Sequence, residues 1–374
     1  MPPAAYFIDG NEAVARAAVD SGCRFFAGYP ITPATTIFHH MLTLLPSVNG
    51  ICLQGEDEIA SIGCCLGASM AGLKVMTATS GPGISLFSEQ ISFAIGGEIP
   101  IVIVDVQRLG PSTGSATKGA DSDIQFLRWG NSGGLPVIVL APVDAADCYN
   151  LTLQAFNLAE RYRSPVFIAS NKEIGMTRES VTVSLFNHPE PIERRHFKGD
   201  SGAPYRPFHT GDSQLVPDFL PIGDSRLVRQ TSSTHGPDGY ITTDSAVIEQ
   251  NIQRLRDKLL STVADFTFYE LDEVAGADTL IISYGASARA VYECAAGLKD
   301  RSQAVSVLIL KTLFPVPQQL LIEQIGTVSR VIVVEMNLGQ YVDEIRRLAP
   351  AATVEFIGKM NGELITPEEI YRVI

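Results

Sequence analysis

Residues 101–114 read IVIVDVQRLGPSTG, an apolar run that stops at a loop rich in Gly, Pro, Ser and Thr. Two earlier apolar runs, 25–27 and 75–78, end in the same way, at the loops GYPITPATT and TSGPGIS. In a parallel α/β sheet such loops follow the carboxyl ends of strands, where ligands bind. Glycine lets the backbone approach a ligand, and hydroxyl side chains supply hydrogen bonds. Together the three loops predict a surface for a polar ligand or cofactor.

Strands and helices alternate around these runs from residue 1 to about 180. The pattern predicts helices at 11–20, 34–45, 57–71, 84–95 and 144–161 and strands at 24–27, 50–54, 74–79, 101–106, 136–140 and 165–169. Such alternation is typical of stacked βαβ units and a parallel sheet.

The composition changes near residue 180. Residues 186–240 are rich in Pro, Gly, Asp and Ser, and their scattered Phe, Tyr and Leu favour an ordered surface excursion over a disordered linker. A charged helix follows at 245–263, and strands and helices alternate again over 278–374. We therefore predict an α/β domain at 1–180, a surface excursion with a connecting helix at 181–265, and a smaller α/β domain at 266–374.

Charge and hydropathy argue against two classes of partner. The formal net charge is −13 and the basic residues never form a patch, which disfavours nucleic acid. No segment approaches the roughly 18 uncharged apolar residues of a membrane helix, and the first residues lack a signal-peptide pattern. We expect a cytoplasmic protein that binds neither nucleic acid nor membrane.

Metal-binding motifs are not apparent in the sequence. None of the six cysteines belongs to a CxxC motif, and Cys64 and Cys65 lie in a small-residue helix that predicts two buried thiols. No GxGxxG or P-loop occurs, and no histidine lies between His40 and His188. Proton chemistry at the predicted surface must therefore use carboxylates or the groups of a cofactor.

Two charged residues are candidates at this surface, each with a plainer alternative. Glu58 opens the predicted helix 57–71, where an acid either complements the helix dipole or is desolvated at an interface and tuned for function. Arg108 ends a predicted strand, and its guanidinium suits either a carboxylate ligand or a structural pair with Asp105 or Asp123.

Two further side chains are weaker candidates. Thr32, between Ile31 and Pro33, is either a hydroxyl donor to the ligand or an ordinary turn hydroxyl. Lys118, the only lysine between Lys74 and Lys172, is either a second cation of the site or a surface lysine.

Several motifs resemble one family over nearly the whole chain. They are GNEAVARAA at 10–18, GYPITPATT at 28–36, EDE at 56–58, GASMAG at 67–72, TATSGPG at 77–83, VDVQRLGPSTG at 104–114 and AFNLAERYRSPVF at 155–167. The chain thereby resembles the alpha subunits of 2-oxoacid:ferredoxin oxidoreductases, and is most similar to those of the 2-oxoglutarate enzymes. The resemblance implies a thiamine diphosphate pyrimidine-binding domain followed by a domain like the C-terminal domain of transketolase.

The resemblance also implies a reaction and a set of partners. These enzymes oxidise a 2-oxoacid to its acyl-CoA with thiamine diphosphate, Mg²⁺, coenzyme A and iron–sulfur clusters, and pass electrons to ferredoxin. Their beta subunit carries the magnesium site and the cluster, so the chain is expected to hold no metal and to work as an αβ or α2β2 complex. Its partner is expected to dock on the helix at 57–71.

Particular residues match the family's functional positions. Glu58 matches the carboxylate that bonds the aminopyrimidine ring, and Arg108 and Thr32 match the residues that hold the substrate's 1-carboxylate. Lys118 is the candidate for a second carboxylate of 2-oxoglutarate. Further cofactor contacts are expected from Tyr29, Pro30, Ile31, Ser80 and Gly81.

One departure leaves the substrate open. Many relatives have a His-Gly pair after the stretch that here reads LRWGNSGGLP at 127–136. Branched-chain, aryl or pyruvate-type 2-oxoacids are therefore alternatives to 2-oxoglutarate. Further alternatives are a thiamine enzyme with another acceptor, transketolase-like or flavin-linked, and a non-catalytic assembly subunit of the same fold.

Overall fold

Two mostly parallel sheets organise the chain in the computed structural model, which describes residues 5–182, 184, 186, 189–199, 204–211 and 214–374. The strands are β1 Ala5–Ile8, β2 Cys23–Gly28, β3 Ile51–Gln54, β4 Lys74–Thr79, β5 Ile101–Gln107, β6 Ile138–Leu140, β7 Pro165–Asn171, β8 Glu179–Thr182, β9 Tyr269–Asp272, β10 Thr279–Ser283, β11 Ser306–Leu310, β12 Thr312–Phe314, β13 Arg330–Glu335 and β14 Thr353–Gly358.

Helices cover the sheets and connect their strands. They are α1 Gly10–Asp20, α2 Thr35–Leu44, α3 Glu58–Met70, α4 Pro82–Leu86, α5 Ser88–Gly96, α6 Ile124–Trp129, α7 Ala145–Tyr162, α8 Lys172–Met176, α9 Ser245–Leu260, α10 Ser287–Asp300, α11 Gln318–Ile325, α12 Val342–Leu348 and α13 Pro367–Tyr371. The predicted helix 84–95 is thus two helices, α4 and α5.

The first sheet has the strand order β12-β6-β7-β5-β4-β2-β3. Strands β4, β5 and β7 are buried throughout, because helices cover both faces of the sheet. This burial explains why these strands read as nearly continuous apolar runs in the sequence. The predicted parallel α/β sheet is confirmed.

The second sheet has the order β14-β13-β10-β11-β9, with only β9 antiparallel to its neighbour. Strand β12 lies in this half of the sequence but pairs with β6 of the first sheet, Thr312 opposite Leu140. The two sheets are therefore linked by hydrogen bonds of the main chain as well as by packing.

The excursion between the two sheets is fastened by buried ion pairs in its described part. Arg194 binds both carboxylate oxygens of Glu160 in α7, at 2.6 and 2.8 Å, and donates to the carbonyl oxygens of Ser69 and Leu73. Five donor groups in a rigid plane suit such a multiple contact. This arginine therefore ties the excursion to the end of α3.

The two adjacent cysteines of α3 have opposite environments. Cys65 is buried, and its thiol approaches the carbonyl oxygens of Ala27 and Met76, whereas Cys64 is exposed. The prediction that both thiols are buried is therefore wrong for Cys64. Consecutive helical residues point about 100° apart, so only one of the two faces the sheet.

No helix in the described part of the chain is long and apolar enough to cross a bilayer.

Candidate active site

The loops that follow β2, β4 and β5 meet at one edge of the first sheet. These strands are neighbours in the sheet and run parallel, so their carboxyl ends point the same way. The structure thus brings together Thr32 after β2, Ser80 and Gly81 after β4, and Arg108 after β5. Glu58, at the start of α3, joins them.

Arg108 is a buried cation at the centre of this cluster. It is 5% exposed, and its Nη1 donates a hydrogen bond to the carbonyl oxygen of Thr32 at 2.6 Å. Its Nε has no partner and lies 3.1 Å from where a Cβ on Gly81 would stand. Within the described residues no carboxylate forms an ion pair with it, so the alternative of a structural pair with Asp105 or Asp123 does not match the geometry. The guanidinium is available for an anion.

Glu58 is the first residue of α3 and is 8% exposed. The neighbouring Asp57 is the N-cap, since its side chain accepts from Ala60 N at 2.7 Å. Glu58 instead turns inward: its Oε1 lies 3.0 Å from the position of a Cβ on Gly83, so only glycine leaves room there. An acid in the first turn also complements the helix dipole. The carboxyl group of Glu58, however, is buried and points toward the loop after β4.

Two hydroxyl groups beside Glu58 lack partners. Thr79 Oγ1 and Ser80 Oγ are both buried and make no hydrogen bond within the described structure. A Cβ on Gly83 would come within 2.0 Å of Thr79 Oγ1, so this hydroxyl lies in the same narrow space as the Glu58 carboxyl. Orphaned buried hydroxyls indicate a place where a polar ligand completes the hydrogen bonding.

The loop after β2 lines the outer side of the cluster. Tyr29 is 41% exposed, Pro30 and Ile31 are half-buried, and Thr32 is exposed. Its backbone is held to the site through the Arg108 contact described above. The loop therefore offers side chains to a ligand that enters from solvent.

Lys118 lies at the other end of the loop that Arg108 begins. The loop folds back on itself, because Leu109 N donates to the carbonyl oxygen of Lys118 at 2.8 Å and Ser115 N donates to that of Leu109 at 2.8 Å. The Lys118 side chain is exposed, and its stem packs on Gly362, where a Cβ would stand 2.6 Å from Cβ of Lys118. The lysine is thus near the site without being buried in it.

Two acids near Arg108, which the sequence suggests as its ion-pair partners, contact each other instead. Asp105 of β5 is fully buried and lies within hydrogen-bonding reach of Asp123. Burial raises the pKa of both carboxyl groups, and the proximity of Asp123 raises that of Asp105 further. The signal in the sequence is an acid inside an otherwise apolar strand, IVIVDV.

An apolar surface, here called the α3 face, flanks the site. Ile59 of α3 is 48% exposed, and Gly63 and Gly67 on the same helix have open space where a Cβ would stand. The exposed Ile51 and Leu53 of edge strand β3 lie on the same side of the sheet, because they pair with Phe25 and Ala27, which pack toward α3. Such a surface beside a functional cluster is typical of a protein interface.

No group of three or more His, Cys, Asp or Glu residues suited to a metal ion occurs among the residues that the structure describes.

Comparison with known proteins assigns the family. Residues 16–254 match the model for the thiamine diphosphate-binding part of pyruvate flavodoxin/ferredoxin oxidoreductases, and residues 277–370 match that for core domain II of pyruvate:ferredoxin oxidoreductase. The chain belongs to this family. It is an oxidoreductase subunit of the ferredoxin-dependent 2-oxoacid type, as its resemblance to that family's alpha subunits implied.

Full-length relatives of this oxidoreductase include archaeal proteins. The 2-oxoglutarate synthase subunit KorA of Methanothermobacter marburgensis is 39% identical over 373 residues, which are 99% of this chain and 98% of the relative. Its description as a subunit indicates that the relative works in a heteromeric complex.

Solved structures agree with the family fold. The chain superposes with a TM-score of 0.91 and 34% identity on 2-oxoglutarate:ferredoxin oxidoreductase from Magnetococcus marinus, solved with 2-oxoglutarate, coenzyme A and succinyl-CoA bound. The superposition covers 100% of the present chain and 65% of the chain from Magnetococcus marinus. A split-gene transketolase, an inactive β4 tetramer, gives a TM-score of 0.56 at 14% identity, with 98% and 97% coverage. The predicted fold class, a parallel-sheet domain of the thiamine diphosphate pyrimidine-binding type followed by a transketolase C-terminal-like α/β domain, is confirmed.

Proposed function

We propose that the chain is the alpha subunit of a 2-oxoglutarate:ferredoxin oxidoreductase. In this reaction 2-oxoglutarate and coenzyme A give succinyl-CoA and CO₂, and two electrons pass to ferredoxin. The observation that carries the proposal is the convergence of a buried acid, Glu58, and a buried guanidinium without a carboxylate partner, Arg108. The identity to KorA subunits over nearly the full length supports 2-oxoglutarate as the substrate.

The residues around Glu58 fit the aminopyrimidine ring of thiamine diphosphate. The amino group and ring nitrogens of the aminopyrimidine need both hydrogen-bond donors and acceptors. The Glu58 carboxyl group and the Thr79 and Ser80 hydroxyls, which lack partners in the described structure, offer both. When bound, the cofactor supplies the nucleophilic carbon and accepts the electrons that decarboxylation leaves behind. Glu58 would hold a proton between its carboxyl group and the ring. Tyr29, Pro30, Ile31 and Gly81 complete the proposed contacts.

Arg108 would bind the carboxylate next to the keto group. Its Nε and Nη groups form a fork that matches a carboxylate, and its fixed bond to the Thr32 carbonyl oxygen limits its motion. The Thr32 side chain, exposed at the same position, would add a hydroxyl donor. The contribution is mainly orientation of the 2-oxoacid. Lys118, at the far end of the same loop, is the proposed partner of the distal carboxylate.

The remaining components belong to partners in this proposal. A beta subunit would bring the Mg²⁺ site for the diphosphate and the iron–sulfur cluster, with coenzyme A as second substrate and ferredoxin as electron acceptor, in an αβ or α2β2 complex. The α3 face is the proposed docking surface for that subunit, since it is apolar, exposed and next to Glu58.

We propose the cytoplasm as location, because the six cysteines, all within the described residues, are unpaired. Residues 1–180 would be the pyrimidine-binding domain, 181–265 the excursion with its connecting helix, and 266–374 the transketolase C-terminal-like domain.

Reconstitution tests the proposal. The chain is co-purified with its proposed beta subunit and supplied with Mg²⁺, thiamine diphosphate and coenzyme A. Ferredoxin reduction is then followed for 2-oxoglutarate, pyruvate and 2-oxoisovalerate. We expect the highest kcat/KM with 2-oxoglutarate and strict dependence on coenzyme A. The isolated chain, the matched control, should be colourless and inactive.

Three results would overturn parts of the proposal. Preference for 2-oxoisovalerate or pyruvate would replace the substrate, and turnover without coenzyme A would favour a thiamine enzyme with another acceptor. Absence of turnover with every 2-oxoacid, in a complex that binds thiamine diphosphate, would favour an assembly subunit.

A further inference from the structure

Asp105 is an acid in the interior of the first sheet. It is fully buried, and neither of its carboxyl oxygens meets an N–H or O–H donor in the described structure. Its neighbours in the sheet, Thr79 on β4 and Ala169 on β7, carry no charge. A buried carboxylate without a donor is strongly disfavoured, so this group needs a proton.

Asp123 is the group that faces it. The residue immediately precedes α6, and its backbone N–H is fixed by the side-chain oxygen of Gln107 at 2.9 Å, while Gln107 donates to the Ser170 carbonyl oxygen. Asp123 Oδ2 also lacks a donor. Two carboxyl groups within hydrogen-bonding reach of each other cannot both be ionised, and one shared proton satisfies both.

Two charged groups surround the pair. Arg108, three residues after Asp105, favours ionisation of both carboxyl groups without forming an ion pair with either. The other is Asp121, two residues before Asp123. Asn171 Nδ2 donates a hydrogen bond to Asp121 Oδ1 at 2.8 Å. Burial raises the pKa of Asp121, and the negative charge of Glu335 raises it further. The summed charge of the Arg108 guanidinium and the two carboxyl groups, which a ligand of Arg108 meets, therefore depends on how many protons Asp105 and Asp123 hold.

We propose that Asp105 and Asp123 are positioning residues that share a proton behind Arg108 and thereby link 2-oxoacid binding to proton uptake. The inference rests on the proposed function, in which Arg108 binds the substrate carboxylate. With one proton, the pair is an anion that offsets the guanidinium charge. With two protons it is neutral, and the guanidinium attracts the substrate without competition.

The sign of the pH effect follows. Substrate binding and full protonation of the pair favour each other, so lower pH lowers KM for the 2-oxoacid and higher pH raises it. The carboxylates of 2-oxoglutarate are ionised throughout the neutral range. The slope therefore reports protons of the enzyme.

The test measures KM and kcat for 2-oxoglutarate in the assembled complex across the neutral pH range. In the wild-type enzyme KM should rise by roughly tenfold from about pH 6 to about pH 8, equivalent to the uptake of up to one proton. In the double variant Asp105→Asn/Asp123→Asn, neither side chain can take up or release a proton. The KM profile should flatten in this variant, whereas kcat should keep its wild-type pH profile.

Asp147→Asn is the matched control. Asp147 is another buried acid, whose pKa burial raises to about 6, but it pairs with Lys311 away from Arg108. Its variant should keep the wild-type slope of KM. A wild-type slope of KM in the double variant, or a flat profile in the Asp147 variant, would overturn the proposal. A wild-type complex that oxidises no 2-oxoacid would instead overturn the proposed function.

Discussion

Arg108 has fewer partners than other buried cations of the described chain. Arg194 has the Glu160 carboxylate, and Lys258 has that of Glu98. Arg163 also binds only backbone, but it donates to four carbonyl oxygens, whereas Arg108 donates to one, that of Thr32. A buried charge without a counter-charge costs several kcal/mol. Arg108 lies at the carboxyl edge of the sheet and faces Gly81, where ligands bind in this type of fold. An anionic ligand at this edge would supply the missing counter-charge.

Glu58→Gln tests the proton-transfer role of the buried acid. Glutamine keeps the shape and burial of the side chain but cannot exchange a proton with the cofactor ring. We expect kcat of the assembled complex to fall by about 10²-fold or more, the scale of a lost acid–base function. Thermal unfolding of the isolated chain should change little, because Asp57 rather than Glu58 caps α3. Activity close to that of the wild type would indicate that Glu58 only complements the helix dipole.

Lys118→Met tests the origin of substrate choice. If the lysine binds the distal carboxylate, kcat/KM for 2-oxoglutarate should fall by roughly tenfold, about 1.4 kcal/mol, while that for 2-oxobutyrate is spared or improved. The exposed Lys198 offers a matched control, as Lys198→Met removes a surface charge elsewhere. An unchanged ratio of the two constants would make Lys118 a surface residue.

At the scale of elements, helix α9 is fastened by a buried acid. Glu98 binds Arg254 at 2.6 Å and Lys258 at 2.9 Å, both on α9, and has no exposed surface. Burial alone would raise the pKa of Glu98, but the two cations lower it to about 2. The excursion's connecting helix is therefore held to the first sheet by charge as well as by packing.

Glu98→Gln should destabilise the chain by about 3–5 kcal/mol, because it leaves two buried cations without a counter-charge. Denaturant unfolding at neutral pH measures this loss, and Glu249→Gln on the exposed side of α9 is the control. The depressed pKa gives the sign for the wild type: the stabilisation is present above about pH 4.5 and is lost as the pH falls toward about 2. Equal acid sensitivity of wild type and Glu98→Gln would contradict this account.

The sequence predicted the elements with strong periodicity and missed those defined by distant partners. The buried strands at 74–79 and 101–106 were predicted almost to the residue. Strand β12 was not, because three residues carry no period and its partner β6 lies about 170 positions earlier. Glu58 and Arg108 could be selected from their places at a helix start and a strand end. The contact between Asp105 and Asp123 could not, since it depends on how the loop after β5 folds back.

At the scale of the whole molecule, the α3 face is the surface that links this chain to a complex. Gly67→Leu should leave the isolated chain folded, since nothing lies within 4 Å of the position of an added Cβ, and should raise its stability by up to about 1 kcal/mol. The same side chain should weaken binding of the partner subunit by roughly 10- to 100-fold through overpacking. Denaturant unfolding measures the stability, and size-exclusion chromatography of the mixed subunits measures the assembly, with Gln253→Leu on exposed α9 as control. Normal assembly of Gly67→Leu would place the interface elsewhere.

The central claim is that Arg108 binds the carboxylate common to all 2-oxoacids, and Arg108→Lys in the assembled complex tests it most directly. A lysine keeps the charge but loses the planar fork, so kcat/KM for 2-oxoglutarate, 2-oxobutyrate and pyruvate should fall together, by about 10- to 100-fold. Binding of thiamine diphosphate should persist. Unchanged constants, or a loss confined to 2-oxoglutarate, would contradict the assignment of Arg108.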